Sequence, residues 1–334
     1  MSGSLIQRIQ KLGINGFLLG IILSGLLAYL FPDFGSRNSV MPWQQITSIG
    51  ISFIFFFYGV KLDPNSLRRG LSNWKLHLLV QSCTYLIYPA AVYAILFFVP
   101  EVFGELKTGI LFLAALPSTV SASVVLVSLA KGNIPAAIFN ASISSLIGVF
   151  LTPALLFLLA DYEAVGMDFT QTLGQLSIKI LIPVFLGIFL HRWLYPLVEP
   201  LFGKLKYLDQ IVIMIIVYTS FSEAFSNHVF DPFTSDTILF LIGLTAGLYF
   251  VMVALILLVS RILGFGHEDR ITAVYCGSKK SLIQGVVMGK VIFPDPIILS
   301  LSILPIMLLH IQQLIYGSVL INFFNKKRPP EEIG

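Results

Sequence analysis

An all-α protein threaded repeatedly through a membrane is the fold class this sequence predicts, and three observations carry that expectation. Of 334 residues, 56% are hydrophobic and 11% charged, which is too little polar surface to cover a soluble globule of this size. The apolar residues gather into runs of about 17 to 25, the length a helix needs to cross the hydrocarbon core. Between the runs stand short segments holding breakers, among them Pro32, Asp63-Pro64, Pro100, Pro196, Asp231-Pro232 and Asp295-Pro296. About ten runs result, near 12–31, 44–60, 76–99, 108–130, 134–160, 171–190, 209–226, 237–260, 270–292 and 297–324.

The first run follows a short basic stretch with Arg8 and Lys11. It resembles a signal peptide, but no small-x-small cleavage site follows, so it is counted as the first helix. Cations fix the orientation. With a cytoplasmic N-terminus, that side receives Arg8, Lys11, Lys61, Arg68, Arg69, Lys75, Lys131, Arg192, Lys204, Lys206, Arg261, Arg270, Lys326, Lys327 and Arg328, and the other side only Arg37 and Lys107. Lys and Arg accumulate in cytoplasmic loops, so the expectation is a multi-pass protein of the plasma (inner) membrane with both termini inside. The sequence pI of about 9.0 reflects these loop cations, not a basic aromatic face for nucleic acid. Cys83 and Cys276 both fall in apolar runs and read as buried thiols, without a disulfide framework or a metal site.

Two stretches interrupt the apolar pattern. In the fourth run stands Leu116-Pro-Ser-Thr-Val-Ser-Ala-Ser123, and in the ninth Cys276-Gly-Ser-Lys-Lys-Ser-Leu-Ile-Gln284. A charge at the bilayer centre costs roughly 3 kcal/mol on insertion scales, so Lys279 and Lys280 should face a bundle interior or a watery cavity unless one snorkels or pairs structurally. Five helices followed by five places the second half in the opposite orientation, an inverted-repeat plan. Pro117 lies 18 residues before Pro135 and Gly277 lies 17 before Pro294, so the interrupted runs match in length. Broken segments at corresponding places point to a transporter binding site, where half-helix N-termini favour an anion.

Other polar groups inside the runs are Glu223, Lys179, His310, Gln312, Gln313 and Tyr316. Glu223 is either a solvated interfacial carboxylate or the partner of an intramembrane lysine. Pairing with Lys179 would be structural, whereas pairing with Lys279 would bridge moving parts. His310 is a candidate for proton coupling, with an interhelical hydrogen bond the commoner role. Gln81, Asn140, Ser142, Ser144 and Ser145 read as helix-packing groups, and Gly20, Gly25, Gly243 and Gly247 as close-packing sites. No nucleotide loop, dinucleotide fingerprint or metal-ligand spacing is present, so neither an enzyme nor a nucleotide-driven pump is expected.

The run Leu116-Pro-Ser-Thr-Val-Ser-Ala-Ser with Ala130-Lys-Gly-Asn-Ile-Pro135, together with Gly277-Ser-Lys-Lys-Ser281 and His310-Ile-Gln-Gln, resembles the bile acid:sodium symporter superfamily. Within it, the likeness is to the branch of bacterial, yeast and vertebrate members not known for bile-acid transport. The resemblance implies a panel domain, approximately 12–60 and 171–226, and a core domain, approximately 76–160 and 237–324. In the core, helices four and nine would be unwound and crossed, with a substrate crevice between the domains. The substrate-binding set it implies is Ser118, Thr119, Ser121, Ser123, Ser278, Lys279, Lys280, Ser281 and Gln284, with Glu223, Lys179 and His310 in coupling or gating. The sodium-driven members carry a Glu and a Gln where Tyr275 and Lys279 stand. Their Ser–Asn pair becomes Ser123–Val124, and their helix-five hydroxyls become Ala137 and Ala141. Sodium needs several oxygens, so the expectation is a small organic anion carried with a fixed lysine ammonium in place of bound sodium, and no metal or cofactor. A non-transporting regulator of calcium homeostasis and a sodium-coupled organic anion symporter are the alternatives.

Overall fold

The computed structural model describes residues 16–62, 73–98, 104–160, 169–231 and 233–326; of Glu105, Ser121, Phe169, Leu173 and Lys326 it describes the backbone. Arg8, Lys11, Arg68, Arg69, Lys327 and Arg328 of the orientation argument lie outside these residues, as do the breakers at 63–64, 100 and 232. Every regular element among the described residues is helical.

In chain order these are α1 (Gly16–Leu30), α2 (Trp43–Lys61), α3 (Trp74–Leu96), α4 (Gly104–Ala115), α5 (Ser121–Leu129) and α6 (Ile134–Leu159). There follow α7 (Phe169–Leu176, continued by Ser177–Leu181 and Ile182–Val198), α8 (Phe202–Ser226), α9 (Ser235–Ile262), α10 (His267–Gly277), α11 (Leu282–Ile292) and α12 (Pro296–Lys326). Helix starts use local chemistry. Asn133 accepts from the Ala136 N–H at 3.1 Å ahead of Pro135, and Asp295 accepts from Ile297 N–H at 2.9 Å behind Pro296. Wide π turns at Cys83–Ile87 and Ser177–Leu181 each precede a proline, Pro89 and Pro183, and absorb its missing N–H within a continuing helix.

Trp74–Leu96, Ile134–Leu159, Thr170–Ser226, Ser235–Ile262 and Pro296–Asn325 are long and apolar enough to cross a membrane. Thr170–Ser226 has 57 residues, more than twice the roughly 20 of one crossing, and the 3-10 turn Glu199–Leu201 divides it. Gly16–Leu30 and Leu106–Ala115 are shorter apolar helices. Large apolar side chains such as Leu19, Leu23, Phe185, Phe189, Leu239 and Leu258 face outward, a surface that suits lipid. The protein is a polytopic, all-helical membrane protein.

Helix α1 packs on α8, and α2 packs on α7 and α8. The other helices form a second set, in which α12 packs on α4, α9 and α11, and α10 on α3, α6 and α9. Helix α8 also leans on α11 and α12. The α2–α7 contact is the tightest: a Cβ added at Gly59 would meet the Val184 carbonyl oxygen at 2.2 Å, and one at Gly187 the Phe56 oxygen at 2.2 Å. Of the four glycines expected to permit close packing, only Gly20 does so, against the Met214 sulfur. Gly25, Gly243 and Gly247 have no atom within 4 Å of an added Cβ. Spacing alone cannot say which face of a helix meets a neighbour.

Candidate functional site

Both interruptions expected from the sequence are present, and they meet. Helix α4 ends at Ala115 because Pro117 has no N–H to continue the ladder and disfavours helical geometry at Leu116. The chain resumes as α5 at Ser121. Helix α10 ends at Gly277, and Ser281 restarts the chain as α11, its Oγ accepting from the Gln284 N–H at 3.3 Å. Across the junction, Ser281 N–H donates to Pro117 O at 2.9 Å, Ser118 Oγ to Cys276 O at 2.5 Å and Ser123 Oγ to Tyr275 O at 2.9 Å.

Breaking a helix inside a protein leaves main-chain groups that need partners. Here they are found one by one. Ser118 N–H donates to Ser144 Oγ at 3.0 Å, and Thr152 Oγ1 donates to Ala115 O at 2.8 Å. The Tyr85 hydroxyl holds Ser144 through its carbonyl oxygen. Gln313 serves both sides of Lys280: its Oε1 accepts from the Lys280 N–H at 3.0 Å and its Nε2 donates to the Lys280 carbonyl at 2.9 Å. Gln313 Nε2 also lies 3.0 Å from His310 Nδ1. Of these partners, Gln313 and Ser144 were legible only as generic packing groups, and Tyr85 and Thr152 carried no signal at all, since their bonds go to main chain.

The two lysines are both buried and differ in what they touch. Lys280 Nζ donates to the carbonyls of Thr84 at 2.7 Å, Ala114 at 2.6 Å and Leu116 at 2.9 Å, and lies 4.4 Å from the Tyr88 ring centroid. Lys279 Nζ has no acceptor among the described residues. It stands 5.2 Å from the Tyr275 ring centroid and beside Gly317, where an added Cβ would be 3.3 Å away. Tyr275 is held in turn by its hydroxyl, which donates to Gly317 O at 2.8 Å.

A cavity of about 1350 Å³ lies against this junction. One wall is Ile54, Phe55 and Tyr58 of α2 with Asp209 of α8; the other includes Thr119, Ser281, Gln284, His310 and Leu314. Charged groups gather toward one end, Lys61, Lys206 and Asp209, with Lys61 and Asp209 paired at 4.0 Å. The lining is otherwise largely apolar, as in most small-molecule sites. The starts of α5 and α11 sit in this wall, the N-cap Val120 with Ala122 in one case, Leu282 and Ile283 in the other. Their leading N–H groups have no intrahelical partner and carry the positive end of the helix dipole.

The structure thus divides the nine residues expected to bind substrate. Thr119, Ser281 and Gln284 line the cavity, and Gln284 Oε1 has no hydrogen-bond partner among the described residues. Ser118, Ser123 and Ser278 turn their hydroxyls onto main-chain carbonyls, Ser278 onto Val274 O at 2.7 Å, and lie outside the lining together with Lys279 and Lys280. Ser121 begins α5, and its side chain lies outside the described set. Glu223 meets neither expected lysine: its Oε2 accepts from Arg37 N–H at 2.8 Å and its Oε1 lies 3.4 Å from Asn227 Nδ2, while Lys179 Nζ donates to Gln175 Oε1 at 3.2 Å. Arg37 also approaches Asp295 at 3.7 Å, so it ties α8 to the start of α12 at the end of the protein away from Lys61 and Asp209.

Comparison with known proteins places this architecture. The chain is 40% identical over 318 residues to an uncharacterized protein, PA2026, of Pseudomonas aeruginosa, with 94% of each chain covered. It is 33% identical over 322 residues to the putative symporter YfeH of Escherichia coli, covering 96% of this chain and 95% of that one. With sodium/bile acid cotransporter 7 of Xenopus tropicalis it shares 32% identity over 325 residues, 95% and 92% covered. A family model described as the SBF-like CPA transporter family matches residues 15–326. Two helices broken at one junction, a cavity beside it and a match over nearly the whole length agree: the chain belongs to the SBF-like CPA transporter family, within the bile acid:sodium symporter superfamily.

Proposed function

We propose that the protein is a secondary transporter of a small organic anion that works by alternating access, without sodium as coupling ion. The observation that carries this reading is the cavity with both broken helices in its wall. Ten crossings in two inverted sets of five, termini in the cytoplasm of the cell and residence in the plasma (inner) membrane complete the scheme. Residues 12–60 and 171–226 act as the panel and 76–160 and 237–324 as the core. The cavity lies between them and opens to the cytoplasm past Lys61, Lys206 and Asp209.

Two helix N-termini and the Ser281 hydroxyl supply donors for an anionic group, and the apolar walls take its organic part. The Thr119 hydroxyl lines the site but donates its proton to Ser123 Oγ at 2.7 Å, because Ser123 gives its own to Tyr275 O. Lys279 stands beside Gly317, outside the lining. Gln284 Oε1 and His310 are the remaining polar contacts, His310 with capacity to move a proton. Hard cations need several oxygen ligands; at the superfamily's ion-binding positions Lys279, Val124, Ala137 and Ala141 have no side-chain oxygen, and the Tyr275 hydroxyl is engaged with Gly317 O at 2.8 Å.

Purified protein in liposomes, tested for exchange of labelled organic anions, decides the matter. The expected result is exchange that is unchanged when choline replaces sodium and that falls at least tenfold in a Thr119→Val, Ser281→Ala double variant. The vertebrate relatives' name, sodium/bile acid cotransporter, favours sodium-coupled symport as the second reading, and sodium-dependent uptake would establish it instead. No exchange across a broad panel would favour a regulator of calcium homeostasis.

A further inference from the structure

The fold leaves three main-chain carbonyls at one point without main-chain N–H partners. Thr84 O loses its donor because the π turn sends Tyr88 N–H to Cys83 O, and Pro89, next along, has no N–H. Ala114 O loses its donor because Ser118 N–H turns to Ser144 Oγ. Leu116 lies in the break itself, past the last residue of α4. These oxygens come from α3 and the broken fourth run, and the last two lie at the negative end of the α4 dipole. Together they form a cage with the polarity of a cation site.

We infer that Lys280 is a built-in cation that fills this cage, and that the cage, once the side chain is removed, binds a monovalent cation of ammonium size or a primary alkylammonium. An ammonium has three N–H donors, and the three acceptors stand at 2.7, 2.6 and 2.9 Å. The Tyr88 ring closes a further side at 4.4 Å. No carboxylate pairs with Lys280 among the described residues, so dipoles alone balance its charge. Three neutral carbonyls at 2.6 to 2.9 Å stand too far apart for magnesium, at roughly 2.0 to 2.1 Å, and are too few for calcium, which takes about six to eight oxygens, so the cage does not suit divalent ions. Because α3, the fourth run and the ninth run all meet this one group, they are fastened together without an exchangeable ion. The inference does not depend on what is transported.

Thermal unfolding of the detergent-purified protein in matched chlorides of choline, sodium, potassium and n-propylammonium tests it. The wild type should unfold at the same temperature in all four. Lys280→Ala should unfold roughly 5 °C or more lower in choline, because three buried carbonyls lose their donors. Potassium or propylammonium, which replaces the atoms from Cγ to Nζ, should recover at least half of that loss, and Lys279→Ala should show no such recovery. Lys280→Met, which keeps the packing and removes the charge, should be destabilised in every salt. The inference is overturned if Lys280→Ala responds to the four salts as the wild type does, or if Lys280→Met unfolds at the wild-type temperature. The Met variant decides alone should the Ala variant not be recovered folded. Since the readout is stability, this failure would leave the transport proposal standing, and absence of transport would leave the cage standing.

Discussion

Replacing Gly59 by alanine should push apart a pair of helices that touch through their backbones. The new Cβ would stand 2.2 Å from Val184 O and 3.1 Å from Gly187 Cα, where ordinary contact starts at 3.4 Å. The obstacle is main chain, so α2 and α7 must separate by about 1.2 Å, and no rotamer change relieves the strain. Separation forfeits dispersion contacts along the interface and stretches the 2.7 Å bond between His191 Nδ1 and Val60 O. Overpacking of this kind costs about 3 kcal/mol at the upper end of its range, against which alanine's better helix propensity returns about 1 kcal/mol. For a chain of 334 residues the net loss of about 2 kcal/mol corresponds to a melting temperature roughly 3 °C lower. Gly243→Ala provides the contrast, because nothing lies within 4 Å of its Cβ. There only the propensity gain of up to about 1 kcal/mol operates, and stability should hold or rise. Scanning fluorimetry on detergent-purified variants measures both. A melting temperature for Gly59→Ala equal to or above that of Gly243→Ala would refute the reasoning.

Gln313→Leu leaves the Lys280 N–H and carbonyl buried without partners and should destabilise by about 2 to 5 kcal/mol. Gln312→Leu, which loses one bond to Ile242 O at 2.9 Å and also removes an oxygen that has no partner among the described residues, should stay within about 1 kcal/mol of wild type; denaturant or thermal scans rank the pair. Tyr275→Phe gives up the 2.8 Å bond to Gly317 O and should cost about 1 kcal/mol while leaving the aromatic face under Lys279 in place, as a small shift in the same scan will show. Glu223→Gln weakens a half-exposed charge-assisted contact to the Arg37 N–H, worth about 0.5 to 1 kcal/mol. If the Arg37 contacts that tie α8 to the start of α12 also hold the cavity closed on that side, then in an Ala122→Cys background the change should speed maleimide labelling from the Arg37 side roughly 2- to 5-fold, and an unchanged rate would count against that role.

Hydropathy made the membrane class legible, and a proline with hydroxyls or a lysine pair inside an apolar run marked both breaks. Which lysine does what was not legible. Successive residues in a non-helical segment point to opposite sides, and the structure sends Lys280 toward α3 and α4 and Lys279 toward Tyr275 and Gly317. The acceptors that fix Lys280 are main-chain carbonyls, which every residue has and no sequence pattern marks. The expectation of an ammonium replacing an ion names Lys279, at the superfamily's Gln position; the Nζ with three carbonyl acceptors is that of its neighbour, Lys280. Gly59 and Gly187 escaped notice for a related reason: each stands alone, and a close approach needs only one glycine per helix at the crossing.

Serine-rich breaks suggest a site crowded with ligand hydroxyls, but an interruption consumes most of its own polar groups. Ser118, Ser123, Ser144 and Thr152 all satisfy main chain exposed by the breaks, and an unpaired buried group would cost about 1 to 3 kcal/mol each. What faces the cavity is a short list: Ser281, Gln284 and His310, with two helix N-termini and Thr119, whose hydroxyl already bonds Ser123 Oγ at 2.7 Å. Specificity in such a site follows from few polar contacts against a wide apolar wall. Changes at Thr119 or Gln284 should therefore alter which molecule is accepted, whereas changes at Ser118 or Ser144 should alter whether the junction holds together at all.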